Sequence, residues 1–345
     1  MKFRHFALPL ASLLLCAATE PPPEPTSEPT STPPPPAILE PYITDGAFDP
    51  GDFAYLKGSL ITANAAEKAE YKAILEWSSA CTRPAEDAIV HELARRGFTR
   101  DDASRFPAGP VLCIQPLVTP DLTDDLTFAQ LTEELARVRP LYETWLMAVA
   151  LAEDLPDIPP ADFGRALEQR TRAEQMVRRG MGWGAGSMAH APDVSPIGRA
   201  IIQARMGIEM MRLDRENTQW LKDRVAQHGW PRISVVGETA AHNAWLLAQH
   251  ADADPVFQLD ALQMMEPLVA QQEVSGRDYA YLYDRVMLAL SGKQRYATQF
   301  ECVDGAYAPQ PVKDMAAVAR YRAEAGLDTL AQNLQRMRDN YGTCD

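Results

Sequence analysis

Between Asp124 and Glu153 the apolar residues Phe128, Leu131, Leu135, Val138, Tyr142, Trp145 and Val149 recur at alternating steps of three and four. That spacing lines one face of an α-helix and neither face of a strand. A stripe this long has to be buried against other helices, which restricts the chain to a mainly α fold. Pro140 interrupts the pattern, and the missing amide predicts a kink or break there. A second helix runs through DFGRALEQRTRAEQMVRR. A third starts at Ser195-Pro196, an N-cap and first-turn pair, and stops at Gly229 and Pro231. A fourth covers GETAAHNAWLLAQH, a fifth starts at Asp254-Pro255, and a sixth covers SGRDYAYLYDRVMLALSG and ends at Gly292. The texture then changes to short β-prone runs around Asp304-Gly305, a hairpin signal. A last helix is expected over KDMAAVARYRAEAGLDTLAQNLQRMR. The expected fold is therefore a multi-helix bundle-like domain with a small β-hairpin near the C-terminus.

The ends of the chain speak to location. Lys2, Arg4 and His5 precede an apolar stretch from Phe6 to Ala18, which reads as an export signal over residues 1–18. Two processing routes stay open. Cleavage after Ala18 gives a soluble exported protein. Alternatively, Leu13-Leu14-Leu15-Cys16 resembles a lipoprotein box ending in a lipid-bearing cysteine, although Leu15 stands where a small residue is usual. Residues 19–41 hold 10 of the chain's 28 prolines and read as an extended linker. Residues 42–118 then read as a small helical module, and 119–345 as the main helical domain. The expected location is the periplasm or the cell envelope, with membrane contact only through a lipid anchor.

Loss of residues 1–18 removes Lys2 and Arg4 and no acid, so the net charge of −14 becomes −16. Such an acidic chain argues against nucleic acid as a partner. Cys81, Cys113, Cys302 and Cys344 remain, an even number suited to an oxidising compartment. Pairing Cys81 with Cys113 and Cys302 with Cys344 keeps each bridge within one end of the chain. No CxxC pair suggests zinc or redox chemistry.

Four of the helices carry polar residues on faces that should be core: Arg170 and Glu174, Asp214 and Asn217, His250, and Tyr281, Asp284 and Arg285. Burying such groups unpaired costs several kcal/mol each, so they must meet one another or something bound. An interior network that fixes helix register and a ligand pocket between bundle helices are both open. Within ADADP, Asp254 reads as the cap of the next helix. The Gly-rich stretch RRGMGWGAGSMAH, residues 178–190, lacks GK[ST] and reads as an inter-helix loop. HExxH, Glu-x-x-His and GxSxG are missing from the sequence. Glu238 and His242, four apart, read as a surface pair. No metal is assigned, and the sequence names no cofactor.

The run GWPRISVVGETAAHNAWLLAQHADADPVFQ, followed by AYLYDRVMLALSGKQRYATQF and PQPVKDMAAVARYRAEAGL, resembles a bacterial family of domains of unknown function, number 6624, over about residues 165–330. The resemblance implies a helical domain and points to Trp230, His250, Asp252, Gln258, Asp284, Arg285, Gln294, Tyr296 and Gln299. It implies no activity. The chain departs from the family at Ala297, where a glycine is usual, and at Ala319 and Tyr321, where an Asp and an Arg are common.

Two functional readings follow. One is an exported or tethered module that binds a small polar ligand or a cell-envelope component in the polar inter-helix pocket. The other is a hydrolase-type enzyme with His250 as general base, Asp252 or Asp284 orienting it, and Arg285 steadying an anionic group. A shared site requires His250 to lie close to Arg285 or Asp284.

Overall fold

Asn64 accepts hydrogen bonds from the amides of Ala66 and Glu67 while the Glu67 carboxylate takes the Asn64 amide, and this reciprocal cap starts α1, Ala65–Arg95. The computed structural model describes residues 33–99, 107–120, 126–154, 162–186, 188, 190–342 and 344. The export signal, Cys16 and residues 19–32 lie outside the described residues. After α1 come α2 (Val111–Ile114), α3 (Phe128–Glu153), α4 (Phe163–Gly184), α5 (Pro196–His228), α6 (Ile233–Val236) and α7 (Glu238–Gln249). Then follow α8 (Pro255–Val269), α9 (Gly276–Ser291), α10 (Val318–Glu324) and α11 (Leu330–Tyr341). Among the described residues, strands occur only as two antiparallel pairs, β1 (Ile43–Thr44) with β2 (Ala47–Phe48) and β3 (Phe300–Val303) with β4 (Ala306–Pro309). The fold is mainly α, with the expected hairpin turning at Asp304-Gly305. No helix among the described residues is long and apolar enough to cross a membrane.

Three expectations meet a different local structure. First, α3 runs unbroken through Pro140, because α4 and α5 both pack along it and hold the turn that lost its amide bond. Second, the Gly-rich stretch is helix as far as Gly184, and its glycines serve close packing. A β-carbon at Gly180 would stand 2.6 Å from Trp145 Nε1 and 2.8 Å from Met206 Sδ. One at Gly184 would stand 2.5 Å from Ile202 Cγ2. Third, the last helix is two helices, since Gly326 turns the chain at φ 68° and Thr329 caps a new start.

The described residues begin inside the proline-rich stretch. Pro33 accepts a hydrogen bond from Trp77 Nε1 at 2.8 Å, and Leu39, in a short 3₁₀ turn, is wholly buried. Residues 33–345 form one compact unit. Both expected cysteine pairs lie at disulfide distance, with Cα atoms 6.1 Å apart for Cys81–Cys113 and 5.7 Å for Cys302–Cys344.

The apolar interior divides into two clusters. One gathers the N-terminal segment, α1, α3 and the facing parts of α4 and α5, including Val177, Met206 and Leu213. The other gathers α7, α8, α9 and the remaining ends of α4 and α5, including Leu167, Leu221 and Val225. Between Leu167 and Val177 on α4, and between Leu213 and Leu221 on α5, lies a polar band.

Candidate functional site

That polar band brings Arg170, Glu174, Asp214, Asn217 and His250 together between α4, α5 and the end of α7. Thr171 and Glu174 sit one turn apart on α4, and Asp214 and Asn217 one turn apart on α5. Glu174 is completely buried. Its Oε1 accepts from Arg178 Nε at 2.5 Å and meets His250 Nδ1, while Oε2 accepts from Gln175 at 2.9 Å. Arg178 reaches on to both carboxylate oxygens of Asp214, at 2.8 and 2.9 Å. His250, Glu174, Arg178 and Asp214 thus form one continuous chain of charge.

The electrostatics are uneven along it. Burial alone would raise Glu174, but the His250 and Arg178 side chains beside it hold its carboxyl below the ordinary value. At Asp214 burial wins over the Arg178 guanidinium and pushes the carboxyl up to about 7. One acid of the pair is therefore firmly ionised while the other exchanges a proton near neutral pH.

Polar atoms without a protein partner concentrate in the same band. Thr171 Oγ1, Asn217 Nδ2 and Gln249 Oε1 are buried and make no hydrogen bond to the protein, whereas His250 Nδ1 lies against Glu174. Buried polar atoms of native proteins are nearly always satisfied, so a group of orphans marks a place where something polar is accommodated. His250 and Asp214 of this band also line a cavity of about 170 Å³, with Thr218 and Asp252 on its polar side and Ile114 and Met210 on its apolar side. A cavity of about 150 Å³ is enough to take up benzene, so this one has room for a small molecule.

Glu174, Asp214 and His250 each offer a ligand atom within 4.8 Å of the others, which a divalent cation could bridge. The Arg178 guanidinium already occupies both carboxylates and supplies their counter-charge. A metal would have to displace it.

The residues singled out by the family resemblance divide into three groups. Asp252 accepts from Arg285 Nε at 2.7 Å and from Gln258 Nε2 at 3.1 Å, and the Arg285 charge holds it below the usual carboxylate value against the effect of burial. Gln258 also donates to the carbonyls of Ala248 and Gln249, both at 3.2 Å, which fixes the turn carrying His250. Arg285 is thus linked to the His250 cavity through Asp252. Asp254 caps α8 by accepting from the Phe257 amide at 2.9 Å.

Asp284 belongs elsewhere. Its carboxylate accepts from the amides of Arg295, Tyr296 and Thr298 at 2.7 to 3.1 Å and from the Thr298 hydroxyl at 2.9 Å. It organises the loop before β3, and the carboxylate that orients His250 is Glu174. Gln294 ties the same loop, donating to the carbonyls of Gln299 and Gln310 at 2.8 and 2.9 Å. Gln299 donates to the Thr298 hydroxyl, and Tyr296 packs edge-on to Tyr283 and Tyr321. At the other end of α7, Trp230 lines a separate, larger cleft and Tyr281 packs against Trp245. Arg170 holds Asn217 Oδ1 at 3.1 Å and lies over the Trp220 ring.

Sequence reasoning missed Arg178, which links both carboxylates of the band. Its signal was there, since Arg178 follows Glu174 by four residues, the spacing of a helical ion pair.

No curated protein and no solved structure matches the chain. The match that exists covers α5 to α11, starting later and ending later than the resemblance in the sequence, and leaves Glu174 and Arg178 outside it. Residues 189–344 match the model of a family described as a family of unknown function (DUF6624).

Proposed function

We propose that this chain is an exported or envelope-tethered binding protein that holds a small polar ligand in the band between α4, α5 and α7. The observation that carries the reading is the cavity that His250 and Asp214 line at the edge of the His250–Glu174–Arg178–Asp214 chain, in a band that also holds three buried polar atoms without a protein partner. A ligand or bound water would supply the partners those three atoms lack. A ligand with both donors and acceptors suits the place. At the cavity wall Arg215 donates, Asp252 accepts, the Thr218 hydroxyl does both, and Asp214 does either near neutral pH. Export is supported by the basic and apolar start of the sequence, the proline-rich stretch and the two cysteine pairs.

A hydrolase-type reading rests on one feature, the His250 imidazole set against a buried carboxylate at the edge of a cavity. In that reading Glu174 takes the orienting role that Asp284 cannot fill. Asp252 and Arg285 are already paired with each other and would act only on the rim.

A thermal-shift screen of the protein against metals, nucleotides, sugars, amino acids and cell-wall fragments tests the proposal, with His250→Ala run alongside. A compound that stabilises the native protein and not the variant supports a pocket at His250. A screen with no such compound refutes the binding reading. Turnover of a hit that disappears in Glu174→Gln would favour the hydrolase.

A further inference from the structure

A cleft larger than the one beside His250 lies at the other end of α7. About 1000 Å³ of space opens between α7, α8, the start of α9 and the turn that joins α10 to α11. His242 lines it, two helical turns before His250 and so about 12 Å away along α7. His242 Nδ1 and Asp278 Oδ2 are 3.0 Å apart, and the Trp245 ring packs 4.8 Å from the imidazole. Trp230 and the apolar side chains of Met265 and Val274 form the dry part of the wall. Glu238, Arg277 and Glu324 complete the polar part.

The composition of the wall narrows what fits. An apolar ligand would strip water from Glu238, Glu324, Arg277 and His242 without replacing it. An anion would face the Glu238, Asp278 and Glu324 carboxylates. A cation would face Arg277 and an imidazole that the Asp278 hydrogen bond biases toward its protonated form. A neutral molecule with many hydroxyl groups avoids all three penalties. Its hydroxyls donate to the carboxylates and accept from His242 and Arg277, while its C–H faces pack on the indoles. The volume is at the upper end of the range for small-molecule sites, which suits a short oligomer better than a single metabolite.

We infer that this cleft is a second binding site, separate from the His250 cavity, that takes a neutral saccharide with the His242–Asp278 pair as its polar centre. Asp278, itself buried and set by the Ser275 cap at the start of α9, fixes the ring so that Nε2 is left for the ligand. The pair spans α7 and α9, so occupation of the cleft also braces two helices against each other.

The test is a tryptophan-fluorescence titration of the full chain with maltotriose, cellotriose and chitotriose, using spermidine and citrate as charged probes. At least one sugar is expected to give a saturable change below about 10 mM. That response should weaken about tenfold in His242→Gln, the loss of one strong hydrogen bond. Glu238→Gln, on the exposed start of α7, is the second variant and should weaken it as well, so the test survives if His242→Gln loses its fold. The inference is overturned if none of the three sugars binds, if spermidine or citrate binds in their place, or if both variants respond like the native chain.

Discussion

His250 meets the carboxylate of Glu174, a residue that lies ahead of the family-matched segment and on a helix that segment does not contain. The histidine at the centre of the family resemblance is therefore completed by a partner from α4. The same helix supplies Arg178, which ties Glu174 to Asp214 on α5. Three helices thus converge on one buried carboxylate.

Replacing that carboxylate with its amide tests how much rests on it. Glu174→Gln keeps the shape and leaves the Arg178 guanidinium with one ionised partner fewer. Breaking a buried ion pair from one side costs about 3 kcal/mol or more. Urea unfolding at pH 7 should show a loss of that size, and a change below about 1 kcal/mol would mean that Glu174 is dispensable.

Asp214 predicts a pH dependence of definite sign. Burial pushes its folded-state carboxyl up to about 7, against an unfolded value near 4. The groups facing it are Arg178 and Glu174 from α4 and Asp252 after α7, and His250 shares its cavity wall. Between those two values the folded protein holds the extra proton, so this group's contribution to stability falls as pH rises from about 4 to about 7, by about 1.4 kcal/mol per pH unit at most. Glu174, held below its ordinary value, acts with the opposite sign at lower pH. Asp214→Asn should therefore gain on the native protein across that window and not above it. A constant difference from pH 4 to pH 8 would contradict the burial of Asp214.

Ala297 sits at φ 54°, a left-handed conformation that costs a residue with a β-carbon about 1 kcal/mol or more. The Asp284 carboxylate on its flanks and Arg322, which donates to the carbonyls of Tyr296 and Ala297, hold it there. A glycine at this position would avoid that cost. Ala297→Gly should raise the unfolding free energy by up to about 1 kcal/mol. A lowered melting temperature would show that the buried methyl group matters more than the backbone.

Gly180 makes the reverse prediction. A methyl group there meets Trp145 and Met206 at distances no real contact reaches. Gly180→Ala should cost about 1–3 kcal/mol despite the better helix propensity of alanine. Circular dichroism melting checks it, and an unchanged midpoint would mean that α3 and α5 yield freely.

Much of this fold is legible in the sequence because its causes are local. Ser195-Pro196, Asp254-Pro255 and Ser275 start helices where the chain alone says they must, since a cap is chemistry within one turn. The cysteine pairing follows from proximity along the chain. Pro140 and the glycines at 180 and 184 read wrongly, because what decides them is the neighbouring helix and not their own preference. The site divides the same way. Glu174, Asp214, Asn217 and His250 stand out as polar groups on core faces, which is a periodicity argument. That Asp284 turns to the amides of a loop and not to His250 depends on tertiary distance, and so does the pairing of His242 with Asp278.

The central claim, that the polar band holds a ligand and is not core architecture, is tested most directly on His250→Gln by measuring unfolding free energy and the ligand-induced thermal shift together. The account predicts a folded variant within about 1–2 kcal/mol of the native protein that no longer responds to a compound which stabilises the native chain. A variant that loses far more stability, while the native chain responds to no compound in the screen, would contradict it and make the His250–Glu174 contact a structural pin.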